Sequence, residues 1–376
     1  MKKVLIVTPG YLPAKNYGGP VVSIKNLTDA LGDEIEFYIL TSNHELKQKE
    51  AIEGLPSGFS QNGKAWVCYI SDDEMNIVNY EKILHEVKPD CIYVNAIFHR
   101  LLSVPMIKLA KKRDIRCVIA PRGGLNENAL NFSKLKKLLY LQYIKSILGW
   151  NICFQSTSDE ESEAIRKYFG EKKELVEVSN YPKCLDVNAE KYRCKKKKGE
   201  VRIIYFSRIH PIKNLKIALE AISRLNVVCY FNIYGPIEKP DYWKECKDII
   251  NELPPNVHAN YSGYLSSDKL GETIGAYDLF ILPTSSENFG HAIAEALSEK
   301  CNVLISNNTP WSDINQFEFG RALPLEQIDK YTDFIALIAG MSEEELQKTR
   351  DAIPRYLDLH FDYKAMKAEY MKLFGI

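Results

Sequence analysis

The sequence predicts an α/β protein of two domains, each built on a parallel β-sheet. Three observations carry that prediction. The chain has 376 residues, short apolar runs alternate with helix-length segments, and the alternation breaks once and then restarts. One hydrophobic core stops growing at about 250–300 residues, so this length suits two domains of roughly 150–200 each. Parallel strands need long crossovers, usually helices. Buried on both faces, such strands read as continuous apolar runs rather than alternating ones.

Val4–Val7 is the first such run. The basic residues before it give the start the look of a secretion signal, but it is too short for an apolar signal region and reads as a strand. Helix-length Val21–Leu31 follows, then strand Glu36–Leu40, strand Cys91–Val94, helix Met106–Lys112, and strands Cys117–Ala120 and Asn151–Phe154. The break is residues 183–200, poor in apolar residues and carrying four lysines at Lys195–Lys198, which predicts an exposed linker. The alternation resumes with Arg202–Phe206, Leu215–Leu225, Cys229–Tyr234, Val257–Tyr261, Leu279–Pro283 and Val303–Ser306. The expected divisions are a first domain at 1–182, the linker at 183–200, a second domain at 201–354 and a terminal helix at 355–376. Both domains read as Rossmann-like, facing each other across a cleft at the carboxyl ends of their strands.

Composition narrows the class. Apolar residues are 45% and charged residues 26%, with 49 basic and 49 acidic side chains in balance, as in a soluble globular protein. Nine scattered cysteines without a C-x-x-C pair predict reduced thiols in the cytoplasm. No run approaches the about 18 apolar residues of a membrane span. Charge is nevertheless uneven. Between Arg100 and Trp150 eleven Lys/Arg face only Asp114 and Glu127, and within that window Ser133–Gly149 reads as a basic amphipathic helix. It can lie on an anionic membrane surface or be a core helix with a solvated basic face. Nucleic acid fits less well, because no aromatic residues are interleaved as a stacking platform.

Chemistry concentrates between Ser285 and Leu297. Glu287 and Glu295 stand eight residues apart, after an apolar strand and across a Gly-bearing turn into an Ala/Leu-rich helix. Strand, turn and helix N-terminus aim backbone N–H groups and the positive end of a helix dipole at the sheet edge, a geometry that binds phosphate. One carboxylate can take a sugar hydroxyl and the other a ribose diol; the plainer alternative is one solvated and one capping glutamate. Arg208 and Lys213, five apart in the loop after the second domain's first strand, can converge on a diphosphate, although such loop pairs are often simply solvated. Gly18 and Gly19, just before a helix, let backbone approach a phosphate, a weak signal alone. No D-x-D or His/carboxylate cluster points to a metal.

The Glu287–Glu295 spacing resembles the E-x7-E motif of retaining GT-B glycosyltransferases, in particular family 4. Ser286–Gly290, Asn308–Trp311 and the Arg208-x4-Lys213 pair agree, and the resemblance spans the chain. It implies the GT-B fold, with the C-terminal helix crossing back to the first domain. Glu287 would bind donor sugar hydroxyls, Glu295 the ribose, and Arg208 with Lys213 the diphosphate. The amides of Asn288, Phe289 and Gly290 would assist with sugar and phosphate, and the Gly18–Gly19 loop would touch the donor phosphate. Tyr234, Gly235, Tyr264 and Leu265 would line the nucleoside site, and Tyr11 and Tyr17 would face the acceptor. One position departs from the family. Where many members carry a His after the strand ending at Ala120, this chain has Arg122. An Arg cannot act as a general base, so Arg122 is expected to stabilise the leaving phosphate or bind an anionic acceptor, with His99 the other candidate. The resemblance implies a metal- and cofactor-independent transfer of a hexose or N-acetylhexosamine from a UDP-sugar to a lipid-diphosphate-linked saccharide. That chemistry belongs to surface polysaccharide (O-antigen-like, lipopolysaccharide) assembly, in the cytoplasm or peripherally at the inner face of the membrane, with no nucleic acid partner. The rival readings are a UDP-sugar 2-epimerase on the same fold and a degenerate nucleotide-sugar-binding scaffold.

Overall fold

A computed structural model describes residues 1–14, 16–125, 130, 134–183, 189–265 and 269–376. The chain divides into two units, Met1–Tyr181 with Asp362–Ile376, and Pro182–Phe361.

The first unit is built on an eight-stranded sheet: β1 (Lys2–Val7), β2 (Ile35–Ser42), β3 (Phe59–Asn62), β4 (Ala65–Ile70), β5 (Cys91–Asn95), β6 (Arg116–Ala120), β7 (Ile152–Ser156) and β8 (Glu174–Glu177). Their spatial order is β3-β4-β2-β1-β5-β6-β7-β8. All neighbours are parallel except the β3–β4 hairpin. Val4 pairs with Phe37 on one side and Cys91 on the other, which puts the loops after β1, β2, β5 and β6 along one carboxyl edge. Helices α2 (Ile77–Val87), α3 (Arg100–Arg113), α4 (Lys134–Ile147) and α5 (Asp159–Phe169) cover one face with Tyr80, Met106, Ile144 and Ile165. Helix α1 (Gly19–Leu31) covers the other with Val21, Ile24 and Leu27.

The terminal helix Tyr363–Phe374 shares that second face. Its Phe374 ring meets Phe37 and Tyr93 edge-on, and its Leu373 carbonyl accepts from Arg116 Nε at 2.8 Å. The expected single helix over 355–376 is two. Tyr356, Leu357 and Phe361 are buried in the second unit, and Asp362 caps a fresh helix by accepting from Ala365 N at 2.8 Å. A side-chain cap that competes for the first-turn amides starts a helix rather than continuing one.

The second unit carries a six-stranded, all-parallel sheet in the order β11-β10-β9-β12-β13-β14. The strands are β9 (Glu200–Phe206), β10 (Val228–Tyr234), β11 (Val257–Tyr261), β12 (Leu279–Leu282), β13 (Asn302–Ser306) and β14 (Gly320–Leu323). Helices α6 (Leu215–Ser223), α7 (Pro240–Asn251), α8 (Leu270–Gly275), α9 (His291–Ser298), α10 (Ile328–Gly340), α11 (Glu343–Asp351) and α12 (Ile353–His360) flank it.

Lys195, Lys197 and Lys198 of the lysine run are exposed, as expected, but the run is anchored through its remaining member. Lys196 is 5% exposed, and its ammonium donates to the carbonyls of Lys197, Glu200 and Ala339. Gly199 N also bonds to Ala339 O at 2.8 Å. A cation at the open carbonyls closing α10 complements the helix dipole, so the segment joins the domain. Residues 184–188 of the expected linker lie outside the described residues. Among those described, eight cysteines are free, all but Cys194 buried, and no helix is long and apolar enough to cross a membrane.

Candidate active site

At the carboxyl edge of the second sheet two loops are stitched together. The loop after β9 forms a tight turn, Pro211–Lys213, capped by His210, whose ring accepts from Ile212 N at 3.2 Å. The loop after β12 reaches it. Ser285 N donates to Ile212 O at 2.7 Å, Thr284 Oγ1 to the same carbonyl at 3.1 Å, and Asn214 Nδ2 to Ser285 Oγ at 2.8 Å. These bonds carry Lys213 to Glu287, and the ammonium forms an ion pair with Glu287 Oε1. Their side chains are 11% and 16% exposed. The predicted diphosphate ligand and the predicted sugar ligand thus neutralise one another at a strand-turn-helix edge. Arg208 is not with them. It is exposed, and its Nη1 donates to Glu238 Oε2 at 2.6 Å, a partner on the loop after β10 that sequence reading did not identify.

Glycine makes the approach of the loops possible. A Cβ on Gly235, at φ 135°, would stand 1.9 Å from the Ser207 carbonyl oxygen. Its amide donates to Gly263 O at 2.8 Å, and Tyr261 OH donates to Gly235 O at 2.8 Å, so Gly235 ties three strand ends together. Tyr234 is half-buried with its hydroxyl 3.4 Å from that of Tyr277. Tyr264 is 42% exposed, and Leu265 is half-buried beside it.

The turn into α9 is equally constrained. Gly290, at φ 80°, is its N-cap, and a Cβ there would lie 3.0 Å from Trp311 Nε1. Trp311, from the Asn308–Trp311 word, is 1% exposed and donates Nε1–H to Phe289 O at 2.6 Å. The His360 ring stacks on the indole with centroids 4.6 Å apart. Phe289 itself is buried against Trp311, His291 and Phe361. Its side chain anchors the turn, and only its backbone is available to a ligand. Asn288 is exposed. Glu295 lies in the second turn of α9, half-buried. No described residue donates a hydrogen bond to its carboxylate, and desolvation pushes its pKa up to about 7, partly offset by Lys183 and reinforced by Glu299. Glu299 is 0% exposed in its side chain and takes Lys183 Nζ at 2.5 Å. A half-buried carboxylate without donors of its own suits a ligand diol, whose two hydroxyls supply the missing bonds.

In the first unit, Gly18 takes φ 67° and ψ −139° at the N-cap of α1, a backbone only glycine adopts readily, and Gly19 is exposed at the helix start. Tyr11 does not face outward: it is 2% exposed in the core, because β1 continues into a buried turn. Tyr17 lies across Gly10 with its hydroxyl 3.1 Å from Ser42 Oγ. Arg122, at φ 56°, sends its guanidinium back along the sheet edge. Nε donates to Asn95 Oδ1 at 2.6 Å, Nη1 to Asn180 Oδ1 and Nη2 to Tyr93 OH. Among the described residues no carboxylate pairs with it. Neutral partners therefore fix the fork while its charge stays available to an anion. Asn95, Asn180 and Tyr93 escaped sequence reading. Asn95 stands at a strand end next to Ala96, whose φ of 133° is exceptional for a residue with a Cβ. His99 starts α3, and burial pulls its pKa down, with Nδ1 unpartnered among the described residues. No group of three or more metal-ligating side chains gathers among the described residues.

Residues 187–353 match the family model described as Glycosyl transferases group 1. The match spans the Lys213–Glu287 edge and the whole second sheet. The capsular polysaccharide biosynthesis glycosyltransferase CapH of Staphylococcus aureus is 23% identical over 327 residues, covering 84% of this chain and 85% of that protein. Among solved structures, Alr3699/HepE of Anabaena, determined with UDP and glucose, superposes with TM-score 0.71 at 14% identity, covering 100% of both chains. Sucrose-phosphate synthase of Thermosynechococcus elongatus gives TM-score 0.66 at 14% identity, again over 100% of both. The fold is GT-B in content: two parallel-sheet α/β domains.

Proposed function

We propose that this protein is a retaining glycosyltransferase that moves a hexose or N-acetylhexosamine from UDP to a hydroxyl of a lipid-diphosphate-linked saccharide in surface polysaccharide assembly. The observation that carries the reading is the Lys213–Glu287 ion pair, formed between two loops at the start of α9. In this reading the donor diphosphate takes over Lys213, and Arg208 exchanges Glu238 for phosphate oxygen. Glu287, released, accepts from sugar hydroxyls. Glu295 accepts from the ribose diol, and the amides of Asn288–Gly290 with the α9 dipole face the phosphate. As the sugar–phosphate bond breaks, charge builds on the leaving diphosphate, and fixed cations and backbone dipoles stabilise it without reorganisation. Retention follows if the acceptor hydroxyl attacks from the leaving-group face and the departing phosphate oxygen takes its proton, so that Arg122 needs no basic function. The match to a group 1 transferase family and the similarity to a capsular polysaccharide transferase support sugar transfer.

The test is transfer from radiolabelled UDP-sugars to a lipid-diphosphate-linked saccharide, with the product anomer read by NMR. An α-linked product from an α-linked donor, lost in Lys213→Ala, is expected. Release of free epimerised sugar without acceptor would overturn the reading.

A further inference from the structure

We infer that helix α4 docks the protein on an anionic lipid bilayer through an outward apolar stripe of Leu135, Leu139 and Tyr143, with Trp150 just beyond its end. The helix carries two apolar faces where the fold needs one. At about 100° per residue, Leu141 and Ile144 share one side, whereas Leu135 and Leu139 lie on the opposite side, about 40° apart. The inner side is buried in the core under β5–β7. On the outer side Leu135 is 73% exposed, Leu139 64%, Tyr143 42% and Trp150 83%. Large apolar side chains exposed in a row on a helix otherwise satisfied by its core face mark a surface for contact.

Charge selects the occupant. Lys134, Lys136 and Lys145 flank the stripe on both sides, all exposed. Lys108 of α3 sets its ammonium 5.5 Å from the Tyr143 ring centroid. None of Lys108, Lys134, Lys136 and Lys145 has an ion pair among the described residues, whereas the neighbouring Lys112 and Arg113 are held by Glu81. The apolar stripe is collared by lysines that have no ion pair among the described residues. It matches a bilayer interface, where leucine and tryptophan enter the acyl boundary and lysines reach anionic headgroups. The inference deepens the proposed function, since a lipid-linked acceptor lies in such a surface. Vesicle binding needs no donor, so the two stand or fall separately.

The experiment is co-sedimentation of the full chain with phosphatidylglycerol/phosphatidylcholine vesicles, against pure phosphatidylcholine, with light scattering of the free protein. Binding to the anionic vesicles is expected, with a blue shift in tryptophan emission that Trp150→Phe removes. Leu135→Ser with Leu139→Ser should lower partitioning about tenfold, and Lys134→Glu with Lys136→Glu should do so in a salt-sensitive way. The far-UV circular dichroism and melting midpoint should stay unchanged in all these variants, which reports an intact fold. Equal sedimentation with neutral vesicles, no effect of the leucine substitutions, or a dimer that Leu135→Ser with Leu139→Ser dissolves would each overturn the inference.

Discussion

Lys213 and Glu287, 74 residues apart in the chain, form an ion pair in which neither side chain is more than 16% exposed. In the proposed function each is the other's stand-in for a ligand, so a donor would compete with the pair to bind. Removing one partner leaves a charge poorly solvated, and Lys213→Ala or Glu287→Ala should each lower stability by about 1–3 kcal/mol. The double variant should cost less than the sum, a coupling that urea titration of the four proteins measures. The ligand response separates their roles. Lys213→Ala should lose the thermal shift given by UDP. Glu287→Ala should keep it while no longer distinguishing UDP from a UDP-sugar.

Glu295 predicts a pH dependence. Its carboxyl is raised from 4.5 to about 7, chiefly by burial. Between those values the folded protein holds a proton that the unfolded chain has released. The contribution to stability is therefore complete below about pH 4.5 and falls away as pH rises through about 7. Glu295→Gln should remove this slope and raise stability at pH 8 by about 1–3 kcal/mol relative to the native chain. Parallel melts of the two proteins at pH 5 and pH 8 check it. If Glu295 holds a ribose diol as a carboxylate, nucleotide affinity of the native protein should also rise across that range.

Arg122 predicts a requirement for shape as well as charge. Its three bonded nitrogens join Tyr93 and Asn95 of β5 to Asn180 through neutral acceptors. Arg122→Lys keeps the charge but cannot reproduce a planar fork. It should lose about 2 kcal/mol or more of stability, close to the loss in Arg122→Ala. Equal unfolding midpoints for the lysine variant and the native protein would show that the fork is not structural.

Gly235→Ala should be among the most damaging single changes in the second unit. The added Cβ meets a backbone carbonyl at 1.9 Å at a φ of 135°, and neither the neighbour nor the torsion can give cheaply. A loss of about 3 kcal/mol or more is expected, with a weakened UDP response, because the same carbonyl belongs to the loop that leads to Arg208 and Lys213. Circular dichroism melts and the nucleotide thermal shift read the two effects.

The strands that were legible in the sequence are those buried on both faces, such as Val4–Val7 and Leu279–Leu282, whose apolar runs need no partner to be recognised. The β3–β4 hairpin was not legible. Phe59–Asn62 has one apolar residue in four and makes no run, so the apolar run Ala65–Ile70 shows no antiparallel partner in the sequence. The division near residue 361 was hidden for a different reason. Helical periodicity continues through Tyr356, Leu359 and Tyr363, and an extended Phe361 followed by the capping bond of Asp362 separates two helices that serve different domains.

The same contrast runs through the site. Local order along the chain suffices for the carboxylate spacing of Glu287 and Glu295, the strand-turn-helix that carries them and the Arg208–Lys213 loop, because each rests on residues a few positions apart. Which charges meet is a matter of folding. Arg208 and Lys213 read alike in sequence, yet one is held by Glu238 and the other by Glu287, and Tyr11 is buried in the core while Tyr17 is only half-buried. Lys196, in a run of four lysines, is buried because folding brings the open carbonyl of Ala339 at the end of α10 beside those of Lys197 and Glu200. Ion pairing and burial depend on groups brought together from distant segments, and their free energy exists only once the sheets have set those segments side by side.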